Sequence, residues 1–142
     1  MKIIKTLFIL STLIIFSCSS DLSYEQKVKN YNFCVQKSDS LLKNKEFLKS
    51  YGYSVTAIEI NDTLAYAIYL KGLASYELNW LEEAEEDFSD VIEIQGKKSI
   101  AYKDRAKVYL KSGDSDFLDD ISIHIENYPS DEEALSLKRD YL

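Results

Sequence analysis

The sequence predicts an all-α protein, a short α-solenoid of about three antiparallel helix hairpins followed by a C-terminal capping helix. The first observation is that the 142 residues include only 4 Gly and 1 Pro, which disfavours the turn-rich sandwich and barrel classes. The second is that apolar residues recur at helical intervals of about three and four positions. The third is that this pattern repeats after about 34 residues, a length typical of stacked helix–turn–helix units.

The size and charge of the chain limit its class. A mass of 16.4 kDa fits one domain, and a hydrophobic content of 46% is sufficient for a packed core. Lys and Arg total 17 against 24 Asp and Glu, which gives a net charge of −7. Nucleic-acid binding depends on a basic surface that neutralises phosphates, so nucleic acid is not an expected partner.

The first 17 residues have the parts of a secretory signal. Lys2 and Lys5 precede an apolar run over residues 7–16, and small residues follow it. The run is shorter than the ~20 residues that a membrane-spanning helix needs. We therefore expect residues 1–17 to be a signal peptide that is removed. Because that segment carries two lysines and no acid, its removal changes the net charge from −7 to −9.

The end of this segment, Ile15-Phe16-Ser17-Cys18, resembles the lipobox of bacterial lipoproteins, although Phe16 is bulkier than the commonest residue at its place. The resemblance implies that Cys18 is acylated, with chains such as palmitate, and becomes the first residue of the exported protein. Several acyl chains hold a protein on a membrane where one chain holds only marginally. Ser19 stands where some enteric bacteria place the Asp of inner-membrane retention, which favours an outer-membrane lipoprotein of the cell envelope. The alternative is a plain signal or transmembrane anchor with an incidental cysteine.

The rest of the chain divides into a lipidated N-terminus with the start of the first helix, 18–30, and a helical repeat domain, 31–142. Stripes of apolar and small residues at helical spacing predict the helices one after another along the chain. The clearest stripes are Tyr24, Val28, Tyr31, Val35, Ser38 and Leu42, then Leu64, Ile68, Gly72, Ser75 and Leu78, then Leu81, Ala84, Phe88, Val91 and Ile94. Turn signals separate the helices at Asn44-Lys45, Asn61-Asp62, Asn79, Gln95-Gly96, Gly113-Asp114 and Pro129-Ser130.

Helix starts are predicted from residues that cap them. Asp62 or Thr63 is expected to cap the helix that opens at Leu64, and Asp114 or Ser115 the helix that opens near Phe117. The acids of residues 131–133 suit the start of a last helix. Its apolar residues are expected to cover the last repeat, namely Ala134, Leu135, Leu137 and Leu142.

A shift of 34 residues superposes Ser38, Gly72 and Ala106, and small side chains at one position let two helices approach closely. Residues 65–98 closely resemble a tetratricopeptide repeat (TPR). Gly72 falls on the family's small residue in the first helix, while its alanine and aromatic in the second helix fall on Ala84 and Phe88. Residues 31–64 and 99–132 fit less well, because serine or leucine replaces Ala84 and serine replaces Phe88. The resemblance covers about 100 residues and implies three stacked hairpins.

The resemblance also implies a concave face, lined by the first helix of each hairpin, that binds peptides or other proteins. Its residues in the second and third copies are Tyr66, Tyr69, Leu73, Tyr76, Ile100, Lys103, Lys107 and Leu110, and in the first copy Asn32, Val35, Asp39 and Leu42. Tyrosines offer large, fairly rigid contacts, and two lysines one turn apart suit a partner's carboxylate. The alternative is that several of these tyrosines pack inside the solenoid.

The sequence contains no recognisable catalytic, metal-binding or phosphate-binding motif. His124 is the single histidine and is expected to be structural, and Cys34 falls on a core stripe. Residues 114–125 lack the glycine and the final glutamate of a calcium loop. The acids within residues 82–93 are expected to be mostly solvated. The chain is therefore predicted not to be an enzyme, and neither a metal nor a cofactor is expected.

Three functions are compatible with this reading. The first is an adaptor or scaffold that binds other envelope proteins or peptides and is held on the membrane by Cys18. The second is a structural subunit of an outer-membrane assembly, or a self-associating complex, without peptide recognition. The third, an enzyme acting on envelope glycans, requires a pair of facing carboxylates that the sequence does not identify.

Overall fold

A computed structural model describes residues 22–142, so the predicted signal peptide and Cys18 lie outside the described residues. The helices are α1 (Tyr24–Lys43), α2 (Phe47–Ile60), α3 (Ala65–Glu77), α4 (Leu81–Gln95), α5 (Ala101–Ser112), α6 (Phe117–Asn127) and α7 (Glu132–Tyr141). A short 3₁₀ turn, Gly96–Lys98, lies between α4 and α5. Over residues 22–142, none of the helices combines the length and the apolar character needed to cross a bilayer.

The helices stack in chain order as a series of hairpins, with each helix packed on the next. α1 pairs with α2, α3 with α4 and α5 with α6, and α7 packs on α6 as the terminal helix. Five of the six predicted turn signals fall in the connections between these helices, and at the sixth Gln95 ends α4 while Gly96 begins the 3₁₀ turn. The backbone takes a positive φ in the turns at Asn79 (63°) and Gly113 (80°), where asparagine and glycine are the favoured residues. The predicted all-α solenoid of hairpins with a C-terminal helix is confirmed.

Two of the predicted caps are wrong. The side-chain oxygen of Asn61 accepts hydrogen bonds from both the backbone nitrogen (3.0 Å) and the hydroxyl (2.7 Å) of Thr63, so Thr63 belongs to a turn that precedes α3. In the same way, Asp114 accepts a bond from the backbone nitrogen of Asp116 (3.0 Å), ahead of α6. The acidic start of α7 is confirmed, because Asp131 Oδ1 accepts a bond from the backbone nitrogen of Ala134 at 3.1 Å.

The capping helix covers the last hairpin with fewer residues than predicted. Ala134 is fully buried and Leu137 packs against the cluster that surrounds Phe117 and Ile121. Leu142 is 85% exposed, because α7 ends at Tyr141 and leaves it beyond the helix.

The middle hairpin is built around the predicted contact between a small residue and an aromatic ring. A Cβ atom added at Gly72 would lie 2.8 Å from Phe88 Cε1 and 3.1 Å from Asp87 Cβ. Phe88 and Ala84 are fully buried, and Phe88 belongs to the largest apolar cluster of the described residues. Glycine at position 72 therefore allows α4 to approach α3 closely enough to bury the ring.

Serines replace that contact in the first hairpin. Ser38, Ser50 and Ser54 stand 34 residues before Gly72, Ala84 and Phe88, and all three are fully buried. The Ser38 hydroxyl lies 2.8 Å from Ser50 Oγ and 2.7 Å from Ser54 Oγ, and the Ser50 hydroxyl donates to the Ser38 carbonyl at 3.0 Å. The three hydroxyls thus satisfy one another inside the hairpin, as buried polar groups must.

A partly buried cation joins the two helices of each of the other hairpins. Arg105, on α5, donates from Nε to Asp120 Oδ2 at 2.7 Å and from Nη2 to Asp120 Oδ1 at 2.9 Å, a bidentate pair with α6. Its third nitrogen, Nη1, donates to Ser89 on α4 at 2.9 Å. Lys71 stands 34 residues earlier and contacts Asp87 at 2.9 Å and Glu83 at 3.0 Å on α4. This pair of cations was not predicted, although the spacing of Lys71 and Arg105 matches the 34-residue repeat.

Candidate functional site

The first helices of the three hairpins form the inner layer of the solenoid. α1 contacts α3, and α3 contacts α5, across the hairpins that separate them in sequence. This inner layer carries the residues that the sequence analysis assigned to a binding groove.

Tyr66 and Tyr69 lie near the start of α3 and differ in exposure. Tyr66 is 48% exposed and stacks on Tyr69, with ring centroids 6.4 Å apart. Tyr69 is partly buried against Phe88, and its hydroxyl donates to Asp104 Oδ2 on α5 at 2.7 Å. Burial, reinforced by the Asp104 charge, raises the pKa of the Tyr69 hydroxyl far above its usual range. Tyr69 therefore joins α3 to α5, and Tyr66 is the member of the pair that faces outward.

Lys103 and Lys107 on α5 are paired with carboxylates of this chain. Lys103 Nζ lies 2.9 Å from Asp131 Oδ2 and 2.9 Å from Glu133 Oε2. Lys107 Nζ lies 2.6 Å from Glu133 Oε1 and 3.4 Å from Asp104 Oδ1. From the sequence, both lysines are predicted to receive a partner's carboxylate. Residues of this chain supply the carboxylates instead: Asp131 and Glu133 at the start of α7, and Asp104 on α5 itself.

His124 lies beneath the same junction. Its ring is 3% exposed, and Nε2 lies 3.0 Å from Asp131 Oδ2. The ring also stacks on Tyr128, with centroids 4.8 Å apart. His124 therefore supports Asp131 from α6, which agrees with the structural role expected for it. Cys34 is also buried as expected, at 6% exposure.

Acidification should loosen α7 because of these pairs. The hydrogen bond from Lys103 holds the pKa of Asp131 well below its usual range, and the bonds from Lys107 and Lys103 lower the pKa of Glu133. A lowered folded pKa stabilises the folded form above the unfolded value of about 4, and this stabilisation is lost as the pH falls through the folded pKa. We expect the protection of the α7 amides, relative to intrinsic exchange rates, to be constant above about pH 5 and to fall progressively as the pH is lowered from there towards the folded pKa values.

The matched variant for this prediction is Lys103→Gln/Lys107→Gln. Removing both lysines should raise the exchange of α7 at neutral pH and flatten its dependence on pH. Equal dependence on pH in the variant and the native chain would contradict the assignment of these pairs.

An open depression of about 600 Å³ lies further along the inner layer, and we call it the Tyr76 depression. Its lining comes from the ends of α3 and α5 and from one side of α7, and consists of Tyr76, Lys107, Leu110, Lys111, Glu133 and Leu137. Lys111 Nζ stands 4.8 Å from the centroid of the Tyr76 ring, in a cation–π contact.

The structure divides the predicted groove residues into separate places. Tyr76 and Lys107 are brought together in the Tyr76 depression, whereas Tyr66 lies at the opposite end of α3 and Leu73 packs against the core cluster. Lys111, which stands one turn after Lys107 on the same helix, was not among the predicted groove residues. That spacing of four residues was the signal that pointed to it.

Comparison with known proteins identifies the fold. The chain matches the TPR domain of OM64 from Arabidopsis with a TM-score of 0.77 and 19% identity, over 80% of this chain and 95% of that one. It matches YrrB, described as a TPR protein with an unusual peptide-binding site, with a TM-score of 0.72 and 20% identity, over 77% of this chain and 57% of that one. No protein-family model and no curated protein sequence matches it. At 19% and 20% sequence identity, this structural similarity shows the fold alone. The chain has the fold of a TPR-like helical solenoid.

Proposed function

We propose that the protein is a lipoprotein of the bacterial cell envelope that uses its TPR-like domain as an adaptor for another envelope protein or peptide. The Tyr76 depression, which opens on the inner layer of the solenoid, is the observation that supports the proposed binding function. One of the structural neighbours, YrrB, is described as having a peptide-binding site, in keeping with such a role for this fold.

The lining of the Tyr76 depression suits a segment with an apolar side chain next to a carboxylate. Leu110, 38% exposed, and Leu137 offer apolar surface, and the Tyr76 ring adds an aromatic wall. Lys111 supplies a positive charge, and its cation–π contact keeps the ammonium group over the Tyr76 ring. A carboxylate of the partner would bind Lys111, while Lys107 stays engaged with Glu133.

The lipoprotein half of the proposal rests on the sequence that precedes the described residues. Cys18 follows a short apolar run and small residues, in the pattern of a lipobox. Acylation of Cys18 would place the helical domain at a membrane surface, and Ser19 favours the outer membrane as its destination. The domain carries no recognisable catalytic motif, so binding rather than catalysis is the proposed activity.

Site-specific photo-cross-linking in intact cells tests the binding half. A photoreactive amino acid at position 110 should yield a discrete cross-linked partner in the native background. Lys111→Glu should abolish that product, whereas the matched control Lys97→Glu, at an exposed residue of the 3₁₀ turn, should leave it unchanged. Equal products in both variants would overturn the depression as the binding surface.

Membrane fractionation tests the anchor. Cys18→Ser should move the protein from the membrane fraction to the soluble fraction, because no acyl chain can then be attached at that position. Retention of the variant on membranes would overturn the lipid anchor and leave the cross-linking result standing.

A further inference from the structure

We propose that the start of α1 docks on the bilayer surface, so that the domain lies against the membrane rather than floating on a tether. The inference rests on the proposed acylation of Cys18. The surface concerned, which we call the α1 tip, is an apolar and aromatic patch formed by Leu22, Tyr24, Val28 and Leu64.

The α1 tip exposes more apolar surface than the solenoid needs for its own packing. Tyr24 is 82% exposed, Val28 40% and Leu64 43%, and they border one depression of about 330 Å³ with Tyr31. Tyr24, Val28 and Tyr31 form one stripe at helical spacing, but only Tyr31 is buried. The apolar stripe of α1 therefore continues past the part of the helix that the hairpin covers.

The distance to Cys18 selects a membrane as the occupant of this surface. Four peptide units separate Cys18 from Leu22, and an extended chain spans at most about 3.6 Å per residue. A lipid anchor on Cys18 would thus hold Leu22 within about 14 Å of the bilayer, whatever path the linker takes. Apolar side chains held so close to a bilayer gain free energy by entering its interfacial region.

The chemistry of the α1 tip matches that region. Tyrosine favours the membrane interface, because its ring is apolar and its hydroxyl is polar. The cations nearest the α1 tip in the sequence are Lys27 and Lys29, and the nearest acids are Asp21 and Glu25. Asp62, in the neighbouring turn, is an acid at the same end of the hairpin. These charges nearly cancel, so apolar and aromatic contact, rather than attraction to anionic headgroups, carries the proposed docking.

Docking in this way would also fix how the Tyr76 depression faces its partner. Two antiparallel steps, α1 to α2 and α2 to α3, make α3 run in the same direction as α1. Tyr76 lies ten residues after Tyr66 on α3, which corresponds to about 15 Å along the helix axis. The depression would then lie at the end of α3 that is remote from the α1 tip, within reach of a peptide in the aqueous compartment.

Depth-dependent fluorescence quenching tests the inference on the full acylated chain. The chain is reconstituted in vesicles of phosphatidylethanolamine and phosphatidylglycerol that contain lipids brominated along the acyl chain. Trp80→Phe removes the native reporter, and Tyr24→Trp places a new one at the α1 tip. Leu48→Trp is the matched control, because Leu48 is 63% exposed and stands at the other end of the first hairpin.

We expect brominated lipid to reduce the emission of the Tyr24→Trp variant and to leave that of Leu48→Trp unchanged. Equal emission of both variants in brominated and plain vesicles, with both proteins still sedimenting with the vesicles, would overturn the docking and leave the lipid anchor intact. Failure of the acylated chain to sediment with vesicles would overturn the anchor, and the docking with it.

Discussion

Replacing Phe88 by alanine is expected to lower the free energy of unfolding by about 3–5 kcal/mol, a large share of the stability of a small domain. The ring is fully buried between α3 and α4, beside Gly72 and Tyr69. Its removal leaves a cavity that two packed helices cannot close without moving apart. Urea unfolding followed by the fluorescence of Trp80 measures the loss.

Two comparisons make the Phe88 prediction specific. Ile94→Ala, on the same helix at a residue that is 49% exposed, should change the stability by about 0.5 kcal/mol or less. Gly72→Ala should cost about 1–3 kcal/mol by overpacking, and less in a Phe88→Leu background, because the added Cβ would meet the Phe88 ring. Equal losses for Phe88→Ala and Ile94→Ala would contradict the central place of this contact.

Replacing Asp120 by alanine is expected to cost about 3–5 kcal/mol, because it leaves the Arg105 guanidinium in the interior without its carboxylate. The side chains of Asp120 and Arg105 are 6% and 19% exposed and form two parallel hydrogen bonds between α5 and α6. An arginine guanidinium stays charged in proteins, with or without a partner, and the hydrogen bond to Asp120 raises the pKa of Arg105 further. Thermal unfolding of the variant should show a clear decrease in Tm.

The neighbouring acid supplies the control for the Asp120 prediction. Asp119 is exposed, so Asp119→Ala should leave the Tm nearly unchanged. The double variant Arg105→Met/Asp120→Leu should lose less stability than Asp120→Ala, since it removes the unpaired charge together with its partner. A Tm as low in Asp119→Ala as in Asp120→Ala would show that the pair does not hold the hairpin.

The positions of the turns were predictable from sequence because the turns depend on local backbone chemistry. Asn79 and Gly113 adopt positive φ, a conformation that most other residues avoid, and the chain places them at the predicted breaks. The Gly72–Phe88 contact was predictable for a related reason, because the 34-residue spacing aligns one small position in every hairpin. Periodicity therefore specifies which helix faces meet.

The electrostatic contacts were not predictable, because they join residues far apart in the sequence. Lys103 meets Asp131 and Glu133, about 30 residues later, only because α7 turns back over α5. A repeat pattern assigns Lys103 to the inner layer, but it does not show which charges a terminal helix adds to that layer. The caps failed for a local reason, since Asn61 bonds to Thr63 within the turn before Thr63 can cap α3.

The buried serines of the first hairpin have a consequence for the order in which the solenoid unfolds. Repeat proteins are held together by contacts between neighbours, so each hairpin has its own local stability. Ser54 occupies the place that Phe88 fills in the middle hairpin, and a buried phenylalanine contributes about 1.5–3 kcal/mol that a serine does not. We therefore expect α1 and α2 to open at a lower free energy than α3 and α4. The third hairpin also has a serine in place of Phe88, at Ser122, but it buries Phe117 and Ile121 instead, so the first hairpin is the one expected to unfold first.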